Sequence, residues 1–145
     1  MRISVKEDPA LTDIEVAISC PRIDPRVRRL VAAAEIEGMR IAGMSDGFLC
    51  TVGANDVLYA ETVDAKTFLY TADKVIESGL TLAGLEASLA RAEFMRASRQ
   101  LLVNLAHVQG LRPYLNARLE LVLDNGEHVI ASRQFSAAIK KRIGL

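Results

Sequence analysis

The chain of 145 residues has no tryptophan, and its three tyrosines and four phenylalanines are 5% of it. A core without large rings must be aliphatic. Half of the residues are apolar, enough for one real core, with room for a small appendage. Cysteine is nearly missing: Cys20 and Cys50 are the whole supply. They allow one disulfide, but two buried free thiols fit a cytosolic protein better. Together with His107 and His128 they lack the local pairing, such as C-x2-C, that a zinc site needs, so neither metal nor other cofactor is expected. No apolar run approaches the roughly 20 residues of a membrane span, and MRISVKEDP opens without the apolar stretch of a secretory signal. A cytoplasmic protein that does not enter the membrane is the expectation. Catalysis lacks its marks as well. No G-x-G-x-x-G, P-loop, H-E-x-x-H or G-x-S-x-G stands in a suitable context, and no enzyme is expected.

Net charge is missing too, at zero overall, but the two parts of the chain differ. Residues 1–90 carry nine Lys and Arg against fourteen Asp and Glu, a balance of −5; residues 91–145 carry nine against four, a balance of +5. A basic functional part on an acidic one is the natural reading, because charge speaks to binding rather than to fold.

Periodicity supplies the elements. Arg2–Lys6 and Ile14–Cys20 alternate and predict two strands, ended by Pro9 and Pro21. Asp24-Pro25 is an N-cap followed by proline at the first helical position. It predicts a helix to Glu37, with Val27, Leu30, Val31 and Ala34 as an apolar stripe that something must cover. The arginines at 26, 28 and 29 lie largely off that stripe and read as a solvated face. Ile41–Val52 predicts a hairpin turning at Asp46-Gly47, giving β-α-β-β over residues 1–52. Strands follow at Val57–Val63, Thr67–Thr71, Leu101–Asn104, His107–Arg112, Arg118–Leu123 and His128–Ala131. Thr81 caps a helix with Leu82, Leu85 and Leu89 on one face. Ser132 or Arg133 begins a last one carrying Phe135, Ile139 and Ile143, with Lys140, Lys141 and Arg142 at its end, where cations suit the helix dipole. Asn125-Gly126 predicts a two-residue turn. Counting outward from it sets His128 opposite Leu123 and Arg118 opposite Arg133, with Leu119, Leu121, Leu123 and Ile130 on the buried face. Two like charges so placed would suit an anion.

The residues Phe94-x-Arg96-x-Ser98-Arg99-x-x-x-Val103-Asn104, Pro113-Tyr114-Leu115-Asn116-Ala117-Arg118, Asp124-Asn125-Gly126 and Ser132-Arg133-Gln134 form an ordered series. With Asp56–Glu61 upstream, the series resembles the LytTR-type DNA-binding domain of bacterial transcription regulators, from about Gly53 to the C-terminus. Ser98 stands where many members have His, and Ala117 where Gly is usual. The resemblance implies a mostly β fold with short helices, an antiparallel LytTR-like domain over 53–145; the β-α-β-β segment read over 1–52 precedes it and is expected to pack on it or to join two copies. That segment is too short for a receiver, so a stand-alone member is implied.

The family reads double-stranded DNA with loops between strands placed in successive major grooves. Carried over by position, Lys66 or Thr67 belongs to a first DNA-facing loop, Arg96, Ser98 and Arg99 to a second, and Arg133 with Ser132 to the start of the last helix. Asn116 and Arg118 join them from the connection before the hairpin. Arginine is the side chain that binds guanine O6 and N7 with two hydrogen bonds; the serine hydroxyls and helix-start N–H groups suit phosphate. Asn104 reads as structural. Such regulators work as homo-oligomers on DNA, and stand-alone members are often restrained by a membrane-protein partner. The competing expectation is a β-rich ligand- or protein-binding module with a basic face for an acidic partner.

Overall fold

The computed structural model describes residues 1–144. Its elements are α1 (Pro25–Glu37), β1 (Arg40–Ser45), β2 (Phe48–Gly53), β3 (Tyr59–Val63), β4 (Lys66–Tyr70), β5 (Val75–Ser78), α2 (Leu82–Ser88), β6 (Phe94–Ser98), β7 (Leu101–Asn104), β8 (Val108–Tyr114), β9 (Arg118–Leu123), β10 (His128–Ala131) and α3 (Arg133–Ile143). Seven strands form one sheet in the order β2-β1-β5-β4-β3-β7-β6, and three form a second in the order β10-β9-β8. Every recorded strand pair is antiparallel. The fold is mostly β with three short helices.

The run Leu101-Leu102-Val103 shows why this chain needs so few aromatics. All of β7 is buried. Since successive side chains leave a strand on opposite faces, Leu102 enters a core under α1 and α2 with Leu69, Ile76 and Leu85. Leu101 and Val103 enter a second core with Leu119, Leu121, Leu123 and Ile139, between the large sheet, the small sheet and α3. Asn104 closes the strand as a structural residue: its amide donates to the Val57 carbonyl at 2.9 Å and its side-chain oxygen accepts from Ala106 N at 3.1 Å.

The helix starts follow their sequence signals. Asp24 Oδ1 accepts from Val27 N at 3.0 Å with Pro25 at the first helical position, and Thr81 Oγ1 accepts from Gly84 N at 3.0 Å. The turns Asp46-Gly47 and Asp64-Ala65 each hold two residues at positive φ, the conformation that matches hairpin twist.

Four expectations are corrected. The strands at Arg2–Lys6 and Ile14–Cys20 are absent; residues 1–24 carry no helix or strand and residues 1–23 lie exposed, so residues 1–52 are α-β-β. Alternation describes a strand's two faces but supplies no neighbour to pair with. The stripe on α1 is not covered: Val27 is buried, whereas Leu30 and Val31 are 37% and 42% exposed and Ala34 is also outward, because the helix packs through its Ile36 side. Both cysteines are free, but Cys20 is exposed and Cys50 only half-buried.

The last correction concerns register. The loop after β9 has three residues, Asp124-Asn125-Gly126, closed by Gly126 N donating to Leu123 O at 3.0 Å and Leu123 N to Glu127 O at 2.8 Å. Only Gly126 has positive φ. Asn125 Oδ1 accepts from Glu127 N at 3.0 Å, an Asx turn that holds the asparagine out of the left-handed region. One extra residue slips every pair. His128 faces Val122 and Ala131 faces Leu119, so Val129 and Ala131 oppose the buried leucines while Ile130 stands opposite Glu120. Arg118 pairs with Tyr114 and Arg133 lies in α3, so the opposed arginine pair does not form.

Candidate nucleic-acid interface

The β6–β7 turn is built from its own polar residues. Ser98 Oγ accepts from Gln100 N at 3.2 Å. Arg96 donates through Nη1 to the Arg99 carbonyl at 2.9 Å, and its Nε lies 3.5 Å from Glu86 on α2. Arg96 is therefore largely spent on holding the turn, and its side chain is only 20% exposed. Arg99, whose carbonyl it grips, is exposed.

Two backbone hydrogen bonds bring other loops to this turn. Thr62 N donates to Gln100 O at 2.9 Å, which ties the end of the β3–β4 hairpin beside it. The register of β6 shifts between Arg96 and Ser98, a bulge at Ala97, and Ala97 O accepts from Ser132 N at 2.8 Å. A bulge bends its strand and re-aims what it carries; here it meets the start of α3. Because Leu119 faces Ala131, the Leu115–Ala117 connection ahead of β9 lies at the same end. One edge of the molecule is thus made of four chain segments.

The predicted residues distribute unevenly over this edge. Lys66 is exposed in β4 with its ammonium 3.6 Å from Glu77, whereas Thr67 beside it is buried and turned away. Asn116 is exposed and left-handed at φ 60°, as is Ala117 at φ 59°, the geometry that a glycine takes without strain. Arg118 donates from Nε to Leu115 O at 3.0 Å and stacks over the Tyr114 ring at 4.8 Å. Ser132 is the N-cap of α3 but makes no side-chain cap bond; its carbonyl accepts from Ser136 Oγ at 2.8 Å. Arg133 is exposed in the first turn, which holds no acidic residue. Gln100 and Gln134, both exposed beside these arginines, were not assigned a role from the sequence. Nor was Glu86, whose link to Arg96 joins distant elements and leaves no local signal.

The opposite end of the strands holds one titratable cluster, and the middle of the small sheet holds a second. His107 Nδ1 lies 2.7 Å from Asp124 and Nε2 lies 2.5 Å from the Asn55 carbonyl, so it bridges the two sheets. Burial opposes its charge, but the Asn55 carbonyl and the Asp124 carboxylate outweigh that and raise the imidazole above its ordinary value. Glu120 is hydrogen-bonded by Arg112 and by His128 at 2.8 Å. Those two groups hold its carboxyl below the usual range. A raised histidine contributes stability that is whole below its unfolded value of about 6.5 and is lost as pH rises through the folded value. Wild-type stability should therefore fall as pH rises from about 6.5 through the raised folded value, and His107→Gln should flatten that limb. Denaturant unfolding at several pH values decides it: an unchanged slope in the variant would remove His107 from the account.

The comparisons with known proteins cover the part of the chain from which this edge is built. The family model described as the LytTr DNA-binding domain matches residues 49–144. The chain belongs to this family. Residues of the LytTR domain are 31% identical over 90 positions to the sensory transduction protein LytT of Bacillus anthracis, covering 62% of this chain and 37% of that one. They are 46% identical over 66 positions to the transcriptional regulatory protein BtsR of Escherichia coli strain K12, covering 46% of this chain and 26% of that one. The chain thus matches less than half the length of these curated relatives. A solved LytTr DNA-binding domain from Bacillus cereus superposes with a TM-score of 0.69 at 24% identity, covering 73% of this chain and 97% of that structure. It has the same fold. Among the described residues no group of ligands suits a metal, and no helix is long and apolar enough to cross a membrane.

Proposed function

We propose that this chain is a cytoplasmic transcription regulator that reads double-stranded DNA through the loop edge. One observation carries the reading: Arg99, Arg118 and Arg133 come from three separate segments that backbone hydrogen bonds and strand register gather at one edge, with Lys66 nearby. The turn at Arg99 and the start of α3 would enter the major groove, where Arg99 and Arg133 reach guanine edges. Ser98, Asn116, Ser132 and the free N–H groups of the first turn of α3 suit phosphate, since a helix start carries partial positive charge. Thr67 is left out because its side chain is buried, and Arg96 acts by positioning Arg99.

The test is binding to duplexes selected from a random pool, at about 50 mM and about 200 mM salt. Affinity should fall steeply with salt, with a log–log slope near −0.9 per phosphate contact, and one sequence class should survive at the higher concentration. Salt-independent binding, or no preference among sequences, would defeat the reading.

The N-terminal part would join two copies on DNA. Phe48 and Leu49 are 74% and 83% exposed on the free edge strand β2, and Leu30 and Val31 are exposed on α1. An apolar edge strand is a template for a second chain. A membrane-protein regulator would engage the same surface. Sedimentation with one-site and two-site duplexes separates the cases. Leu49→Lys should abolish cooperative loading of two copies, and unaltered cooperativity would exclude this surface.

A further inference from the structure

At the end of the molecule away from the loop edge, α1 and the last turn of α3 face each other across a cleft. Two adjoining cavities of about 730 and about 310 Å3 lie there, and Arg28, Arg29, Glu93 and Arg142 line both. Residues i and i+4 are neighbours on a helix. Below Arg28 and Arg29 on α1 stand Ala32 and Ala33, two small side chains that leave the space open. Leu105 and Leu111 wall the larger cavity, and Ile36 and Phe94 the smaller one.

The charges in this recess do not balance. Arg91, at its margin, is paired with Glu35 at 3.2 Å. Among the described residues, Arg28, Arg29 and Arg142 have no carboxylate within ion-pair distance, and Glu93 is the single acid lining the cavities. Three arginines line one recess, and a bound anion would offset their like charges. Their planar forks match carboxylate and phosphate oxygens in pairs. The volume falls within the range of small-molecule sites rather than that of an open macromolecular face. A duplex on the loop edge does not fill it. Arg133 and Arg142 sit at opposite ends of α3, and eleven helical residues span about 16 Å.

We propose that this cleft binds a small organic anion, a phosphate monoester or carboxylate with an apolar body. Arg28, Arg29 and Arg142 hold the charged group, and the leucine-lined wall takes the body. The proposal stands independently of the DNA reading. Its test is a titration of the full chain with phenyl phosphate, benzoate and inorganic phosphate, following the arginine Nε–H signals by NMR. Phenyl phosphate or benzoate should saturate, moving the signals of Arg28, Arg29 and Arg142 but not of Arg26, and should bind several-fold tighter than inorganic phosphate. Arg142→Gln should weaken binding tenfold or more, whereas Arg26→Gln, which removes the same charge outside the cleft, should leave it unchanged. If Arg142→Gln fails to fold, the pattern of shifts in the wild type decides alone. No saturation, shifts spread over all arginines, or equal losses in both variants would overturn the proposal. So would a selected duplex that moves the same three signals and displaces phenyl phosphate, because the cleft would then be a DNA contact.

Discussion

Replacing Arg99 with alanine should lower affinity for the best duplex by about 1–3 kcal/mol, roughly ten- to hundredfold, and flatten preference at a single base position. The magnitude is that of one lost bidentate guanine contact. The turn aims this side chain through fixed backbone: Ser98 Oγ on Gln100 N, Arg96 on the Arg99 carbonyl, and Thr62 N on the Gln100 carbonyl. Arg99 itself is exposed, so its loss should leave stability within about 0.5 kcal/mol. Binding measured against a panel of single-base variants checks both parts. A loss equal across every sequence would mean that Arg99 touches phosphate alone.

Gly43→Val should cost about 3 kcal/mol, the upper end of the overpacking range. Gly43 lies in β1 against β5. A β-carbon there would collide with the side chain of Ile76 and come within 2.6 Å of the Glu77 carbonyl oxygen. Ile76 is fully buried and β5 is held on its far side by β4, so neither neighbour has room to retreat. The weak link is the β1–β5 ladder, which is recorded at one pair, Met44 with Glu77. The β1–β2 hairpin should peel from the sheet while β3–β10 stay folded, giving an early unfolding phase and unchanged affinity for a duplex with a single site. An unfolding midpoint equal to that of the wild type would show that the sheet opens at no cost and that the hairpin is not held as described.

Much of this was legible in the sequence because it is local. Asp24-Pro25 started a helix, Asp46-Gly47 turned a hairpin, and the apolar run Leu101–Asn104 was a strand. The ordered arginine, asparagine and glycine series pointed to the family before any contact was known. What failed was the part that depends on partners. Ile14, Val16 and Ile18 alternate as a strand should, yet no strand edge receives them, and all three are exposed. Asn125 prefers its own Asx turn to the left-handed position, so the hairpin gains a residue and the arginine pair counted from it disappears. Thr67 and Lys66 were indistinguishable in sequence; strand parity buries the first and exposes the second. The grip of Glu86 and Arg96 and the meeting of Arg28 with Arg142 join elements far apart in the chain, and no spacing rule foretells them.

The central claim is that four segments form one DNA-reading edge, and amide hydrogen exchange of the full chain with and without a selected duplex tests it most directly. On a duplex with a single site, which loads one copy, the account predicts protection at residues 64–67, 98–100, 115–118 and 132–134 together, with little change in α1 or at 105–107. Protection confined to α1, or to the β1–β2 hairpin, would contradict it.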